Sequence, residues 1–592
     1  MANLLQRLFC FAPLGLLTAQ APPPVPVAIE DLLPASTYAV MRFEGLAACS
    51  DVVQSMPLTA VVEAFVERLP ARLRAERLEP GIEHVAAGVR RALRGPGLAP
   101  DDVRAVMGCP AALAIGRVSI EAMGPSVALF VAEGQAGAAI DRCLGVAMAA
   151  VVRAGGVASD VDIDGVAMRR VDTPAGFPLF TGKVAGCRVL TNSQPYLREI
   201  LAVTKGAPGL RKASALGALA AKSDRALAAT FVDAAKFTHM LDPHLPYEAG
   251  AMADALGIGH LEAIYAAVGA GQDGGGDTLH LGLRGSSRGL AKALFAGHAD
   301  LAFAKRCSNN TVLFVAGNVD VPAFVDAVPA LVALLPLPAQ QNIHRGLDAA
   351  MKRELGHSAR EVDRAIRAFG THVALAVGLD SGGSPKPEIL MQIEVRDRAV
   401  VSGLLQKLEE HIATASGAEW RTRQVDGDEL RFCSVPIPGI GLQIQPCYAL
   451  TDEGLVVASD VAALVRVLRR APGDDESLAA AADFRALAQE IDGASGVVHV
   501  RAARAVELGW PLVERWLYPR LDEQAARLGF GSDALPDSAS LAAAVGTSTL
   551  AWRVGDDGVD LRARGVLTLG SFVAALGWGA DEVLRRCGET VY

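Results

Sequence analysis

Residues 105–116 read AVMGCPAALAIG, and residues 367–378 read RAFGTHVALAVG, 262 positions later. Gly108 matches Gly370, and Gly116 matches Gly378. Between them Ala112-Leu113-Ala114 matches Ala374-Leu375-Ala376. A short apolar run opened and closed by glycine is the pattern of a buried strand. Finding it twice, with the same punctuation, decides how the rest of the chain is read.

The match extends in both directions. Residues 126–132 (SVALFVA) align with 388–394 (EILMQIE) at the same spacing, and so do Asp164-Gly165 and Asp426-Gly427. Asp-Gly between short β runs signals a tight hairpin, because glycine accepts positive φ. Arg169 pairs with Arg431, and Pro174 with Pro436. Residues 189–192 (VLTN) then match 456–459 (VVAS) 267 apart. Asn192 or Ser193, and Ser459 or Asp460, are placed to cap the helices that follow. Further on, 228–233 match 497–502, and 279–284 (LHLGLR) match 559–564 (VDLRAR). In the first of these last strands Leu279, Leu281 and Leu283 are expected inward and His280 outward. Amphipathic helices are predicted at 58–69, 82–93 and 138–154, with partners at 321–335, 343–355 and 399–413. A period this long is duplication of a domain, since solenoid units run ~20–50 residues. The expectation is an α+β protein of two tandem copies, 34–307 and 308–592, built of mostly antiparallel sheets with amphipathic helices.

An export signal precedes the copies. Arg7, the apolar residues 8–17 (LFCFAPLGLL) and Ala19-Gln20-Ala21 make the three parts of a signal peptide, expected over 1–21, with a Pro-rich spacer over 22–33. The apolar run is shorter than the ~20 residues that span a bilayer, and no later stretch reads as a span. The expected location is periplasmic or secreted. The chain has 592 residues, a net charge of −9 and 51% hydrophobic residues. That is globular composition, without the basic footprint that nucleic acid or anionic lipid requires.

Candidate chemistry is sparse. Asp160, Asp162 and Asp164 spell D-x-D-x-D-G with Gly165, the opening of a calcium loop. The twelfth position, which should hold a bidentate carboxylate, is Val171. The alternative is an acidic hairpin arm. His239 and His244 flank Asp242 and Pro243, a spacing that suits a polar loop better than a metal site. No G-x-S-x-G, phosphate-binding loop or H-E-x-x-H occurs, so no cofactor and no metal is assigned. None of the nine cysteines forms C-x-x-C. Cys433 and Cys447 flank a strand–turn–strand, open either to a disulfide or to two small buried thiols.

Leu33-Pro34-Ala35-Ser36-Thr37, followed by a Tyr/Val strand, resembles the LPADT opening of a family of exported bacterial proteins of unknown function. Ser36 departs from that family's aspartate. The resemblance implies tandem α+β units behind a signal peptide and supplies no catalytic residues. The leading expectation is therefore a non-enzymatic binding or interaction protein of the cell envelope. Its partner would be an unknown protein or small-molecule ligand, with no nucleic acid and no membrane span after signal cleavage. The alternatives are a hydrolase of unrecognised type using Asp160, Asp162, Asp164, His239 or His244, and an N-terminally anchored envelope scaffold.

Overall fold

The computed structural model describes residues 29–69, 79–119, 124–221, 226–241, 260–269, 276–283, 297–332, 337–355, 359–380, 386–437, 442–470, 474–528, 530–555, 557–566 and 568–589. The signal segment over 1–21, the spacer up to residue 28, Asp242, Pro243 and His244 lie outside the described residues.

The N-terminal half contributes β1 (Ala39–Phe43), β2 (Ala111–Ser119), β3 (Gly124–Ala132), β4 (Val157–Ile163), β5 (Val166–Asp172), β6 (Pro178–Val184), β7 (Cys187–Thr191), β8 (Ala228–Asp233), β9 (Leu261–Val268) and β10 (Asp277–Leu283). The C-terminal half contributes β11 (Thr311–Asn318), β12 (Phe369–Asp380), β13 (Lys386–Val395), β14 (Arg421–Val425), β15 (Asp428–Phe432), β18 (Cys447–Thr451), β19 (Gly454–Ala458), β20 (Gly496–Val500), β21 (Ser548–Gly555) and β22 (Gly558–Gly565). A separate hairpin is formed by β16 (Val435–Ile437) and β17 (Leu442–Ile444). The helices used below are α1 (Leu46–Ser55), α2 (Glu79–Arg94), α3 (Pro100–Met107), α4 (Gly137–Arg153), α5 (Gln194–Thr204), α6 (Ala234–Leu241), α7 (Arg398–Ser416), α8 (Val461–Arg469), α9 (Ala482–Glu490) and α10 (Leu569–Glu589).

The fold is α+β with antiparallel pairing throughout. Twenty strands join in one sheet, in the order β4-β5-β6-β7-β3-β2-β1-β8-β9-β10-β22-β21-β20-β11-β12-β13-β19-β18-β15-β14. With β16 and β17 set aside, both halves visit their strands in the same sequence from the outer edge inward. The registers agree too. Leu113 stands opposite Leu129 as Leu375 stands opposite Met391. Leu129 stands opposite Leu190 as Met391 stands opposite Val457. Asp164 and Asp426 take φ 54° and 49° and are followed by Gly165 and Gly427 at 88° and 102°, the paired positive φ of a two-residue hairpin. Ser193 and Asp460 are the helix caps, accepting from Tyr196 N and from Ala462 N and Ala463 N.

Three expectations need correction. Ala267 faces Thr278 as Ala551 faces Arg562, so the last strands match four residues later than the pairing of 279–284 with 559–564. Ala228 faces Phe43 and Gly496 faces Gly317, so the eighth strands match one residue earlier than the sequence suggests. Phe231 is thus level with His499, and Asp233 with Arg501. His280 points inward, not outward: it is 4% exposed and stands opposite the buried Tyr265. Alternation misleads here because the registers place His280 on the same face as the buried Tyr265 and Phe231, and Asp560 of β22 supplies a partner for the buried imidazole, Nδ1 to Oδ1 2.8 Å.

One face of the sheet carries two cores. The first packs Val40, Ala114, Phe130, Phe180 and Phe231 under α5, through Leu197 and Ile200. The second packs Phe314, Ala376, Leu390 and Val456 under α8 and α9, through Leu464, Val467 and Phe484. The repeated glycines of the opening stretch answer to packing. A Cβ on Gly116 would lie 2.6 Å from the Tyr196 ring, and one on Gly378 would lie 3.1 Å from the carbonyl oxygen of Asn310.

The last helix, α10, crosses to the other half. Ala574 and Ala580 pack with Leu46, Cys49 and Val53 of α1. Asp581 pairs with Arg104 of α3 at 3.1 Å, and Cys587 Sγ donates to the carbonyl of Ala86 on α2. Asp277 of β10 caps the helix, accepting from Leu569 N at 2.6 Å and Gly570 N at 2.9 Å. The helix is not buried all round, since Leu569, Phe572 and Leu576 remain exposed. Among the described residues, no helix is long and apolar enough to cross a membrane.

Candidate functional site

Asp160, Asp162 and Asp164 lie at the outer edge of the sheet, on and just after β4, with exposed side chains. Asp162 Oδ1 accepts from Gly165 N at 2.9 Å, which closes the hairpin turn, and Lys205 Nζ donates to the carbonyl of Asp164. Val171, at the twelfth position of the calcium-like loop, is fully buried in β5. His239 is exposed on α6, which follows β8, seven strands away in sheet order. The structure does not bring these candidates together. Among the described residues, no group of three or more His, Cys, Asp or Glu is arranged to hold a metal ion.

Buried polar groups gather instead at the turns that lead into β1 and β11. Thr37 N donates to Pro34 O at 3.0 Å, and Thr311 N to Ser308 O at 2.9 Å, so the same turn opens both halves. Each is clamped by a cation. Lys236 Nζ donates to the carbonyls of Ala35 and Thr37 at 2.7 and 3.1 Å and is held by Asp233 at 2.8 Å. Arg501 Nη1 donates to the carbonyls of Asn309 and Thr311 at 2.6 and 3.2 Å, and its Nε donates to Asp483 Oδ2 at 2.6 Å. The resemblance-bearing residues Pro34–Thr37 are thus a clamped turn.

Asp483, His499 and Thr549 follow one another as in an acid–base relay. His499 Nδ1 lies 3.0 Å from Thr549 Oγ1, and Nε2 lies 3.9 Å from Asp483 Oδ2. Three facts set this apart from catalysis. The imidazole is 1% exposed, the carboxylate is turned to Arg501, and 3.9 Å exceeds hydrogen-bond reach. Burial pushes the Asp483 carboxyl up, but the contacts with His499 and Arg501 and the amide of Phe484 outweigh it and hold it far below the carboxylate range.

A second network pins α7 to the sheet. Glu409 accepts from Arg431 Nε at 2.8 Å and from Tyr448 Oη at 2.6 Å. Its carboxylate is fully employed and 6% of the residue is exposed, which is a structural arrangement. Nearby, Cys433 and Cys447 are free buried thiols. The disulfide left open by the sequence is not formed, and Phe432 rather than Cys433 stands opposite Cys447. Burial pushes the Cys447 thiol up to about 12.

The remaining polar group is open, and it lies where the halves meet. Between the two cores, on the same face, the ladder runs Val497–Ala551–Arg562–Thr278–Ala267. Beside it stand Arg553, opposite Asp560, and Arg564, opposite Thr549. All three arginines are exposed. Arg553 Nη2 donates to the carbonyl of Asp492, and Arg564 pairs with Glu490 at the end of α9. Asp560 is engaged with His280. Among the described residues, Arg562 has no hydrogen-bond or ion-pair partner. The matching positions follow from the ladders. Val268 faces Ala228 as Trp552 faces Gly496, which sets Arg553 level with Gly269. Ala267 faces Thr278 as Ala551 faces Arg562, which sets Arg562 level with Thr278 and Arg564 level with His280. The fold therefore does not require arginine at these places.

Sequence reasoning passed over this cluster. Arg562 and Arg564 were visible in VDLRAR, but their opposite numbers in the other half become known only from the ladders. Comparisons with protein-family models, with curated proteins and with solved structures each found no match to the chain. The functional reading rests on the geometry.

Proposed function

We propose that the chain is a fused pair of one α+β unit, exported to the cell envelope, and that it is a non-enzymatic binding protein whose ligand sits on the seam between the two copies. The common strand order and register support the fused pair. So does the seam itself: Thr278 and Arg562, matching positions, stand directly opposite each other, as a local two-fold axis between the copies would place them. Export rests on Arg7, the apolar run and Ala19-Gln20-Ala21. The observation that carries the binding reading is that three exposed arginines stand on β21 and β22, Arg562 without a partner among the described residues, where the matching positions hold Gly269, Thr278 and His280. Domain junctions are favoured places for ligand sites.

Thr278→Trp fills the floor of the seam without removing an arginine. The mature chain is expected to gain thermal stability in at least one low-molecular-mass fraction of an envelope extract, and Thr278→Trp to gain none. An equal shift in the variant, or no shift with any fraction, contradicts the reading.

A further inference from the structure

We infer that the ligand of the seam is an extended anion carrying two or more carboxylate or phosphate groups along its length; this rests on the seam being the ligand site. The spacing of the cations gives the class. Arg562 and Arg564 are two residues apart on one strand and one face, which separates them by about 6.7 Å. Arg553 lies one pair further along the neighbouring strand, diagonal to Arg562, at about 7–8 Å. A single phosphate or carboxylate fits one such interval; a linear anion is needed to engage all three.

Two of the arginines are already held. Arg553 spends a donor on the Asp492 carbonyl and Arg564 on Glu490. A guanidinium has five N–H donors, so each keeps others for a ligand while its position is fixed beforehand. Arg562, between them, spends none of its donors on the described residues. Among the described residues, the carboxylates that face or pair with these arginines are Asp560 and Glu490, while Asp492 gives Arg553 its carbonyl; the seam concentrates guanidiniums in a chain whose net charge is −9. An anion at this seam is attracted locally and repelled by the rest of the surface, which favours recognition here over adsorption elsewhere.

The test is titration calorimetry of the mature chain at low and at physiological salt with four probes: linear polyphosphate, poly-glutamate, inorganic phosphate and neutral dextran. At least one polymer is expected to bind, with affinity falling as salt rises, and inorganic phosphate to bind at least ~10-fold more weakly. The polyphosphate and poly-glutamate arms separate phosphate from carboxylate as the recognised group. Arg562→Glu is expected to weaken polymer binding at least ~10-fold, and Arg562→Lys far less. Polymer binding that Arg562→Glu leaves unchanged overturns the inference. If no polymer binds while an envelope fraction still raises the melting temperature in a Thr278-dependent way, the anion class is wrong and the seam site stands. If neither is seen, both fall.

Discussion

Arg501→Leu is expected to destabilise the C-terminal half by about 3 kcal/mol, because removing one member of a buried ion pair leaves the other uncompensated. The guanidinium is 9% exposed, and it holds Asp483 together with the carbonyls of Asn309 and Thr311. Its loss strands a carboxylate and two carbonyls at the turn from which β11 starts. The protein offers a selective reporter for this change. Four of the five tryptophans, Trp420, Trp510, Trp516 and Trp552, lie on the C-terminal half itself, and only Trp578 is on α10, the helix that packs on the other half. Urea unfolding followed by tryptophan fluorescence should therefore shift to a lower midpoint in Arg501→Leu and stay in place in Lys236→Met, which removes the corresponding clamp from the other half. A fluorescence transition unmoved in Arg501→Leu would show the clamp to be dispensable. The acid limb supplies a second readout. The Asp483 carboxyl is held below its unfolded value, so its contribution is complete above the ordinary carboxylate range of about 4 and is lost as pH falls below it. That portion of the acid destabilisation should shrink in Arg501→Leu, where the guanidinium no longer depresses the carboxyl.

Deleting α10 is expected to unfold helices at the opposite end of the sequence. Truncation after Gly565 removes Ala574 and Ala580 from the cluster with Leu46, Cys49 and Val53, breaks the Arg104–Asp581 pair and frees the carbonyl of Ala86. Burial of a Leu or Val side chain is worth about 1.5–3 kcal/mol, so exposing Leu46 and Val53 alone should lower the opening free energy of this region by about 4 kcal/mol. Amide hydrogen exchange should show loss of protection in α1, α2 and α3 while α8 keeps its protection. Equal protection in the truncated and full chains would mean that α10 adds nothing to the N-terminal half. A matched loss in both halves would mean that the halves fold as one cooperative unit.

How much of this could be read from the sequence depends on whether the cause is local. The Asp-Gly turns at 164–165 and 426–427 were legible because positive φ is a property of two adjacent residues. The Ala-Leu-Ala runs at 112–114 and 374–376 were legible because a strand repeats every two residues. The clamps were not. Lys236 and Arg501 hold equivalent carbonyls from positions that do not match in the alignment, since Arg501 is level with Asp233, and Asp483 joins it only through the tertiary fold. His280 was misread for the same reason: its partner Asp560 is 280 residues away, on a strand whose pairing with β10 no local pattern announces. The seam arginines drew no reading from the sequence, because only the ladders set them opposite the other half.

The seam is the centre of this account, and amide hydrogen exchange of the protein with and without bound linear polyphosphate or poly-glutamate tests it most directly. The account predicts slowed exchange over Asp277–Leu283 and Ser548–Gly565, with the outer strands β4 and β14 unchanged. Slowed exchange confined to the outer strands, or to the exposed side of α10, with β21 and β22 unaffected would contradict it.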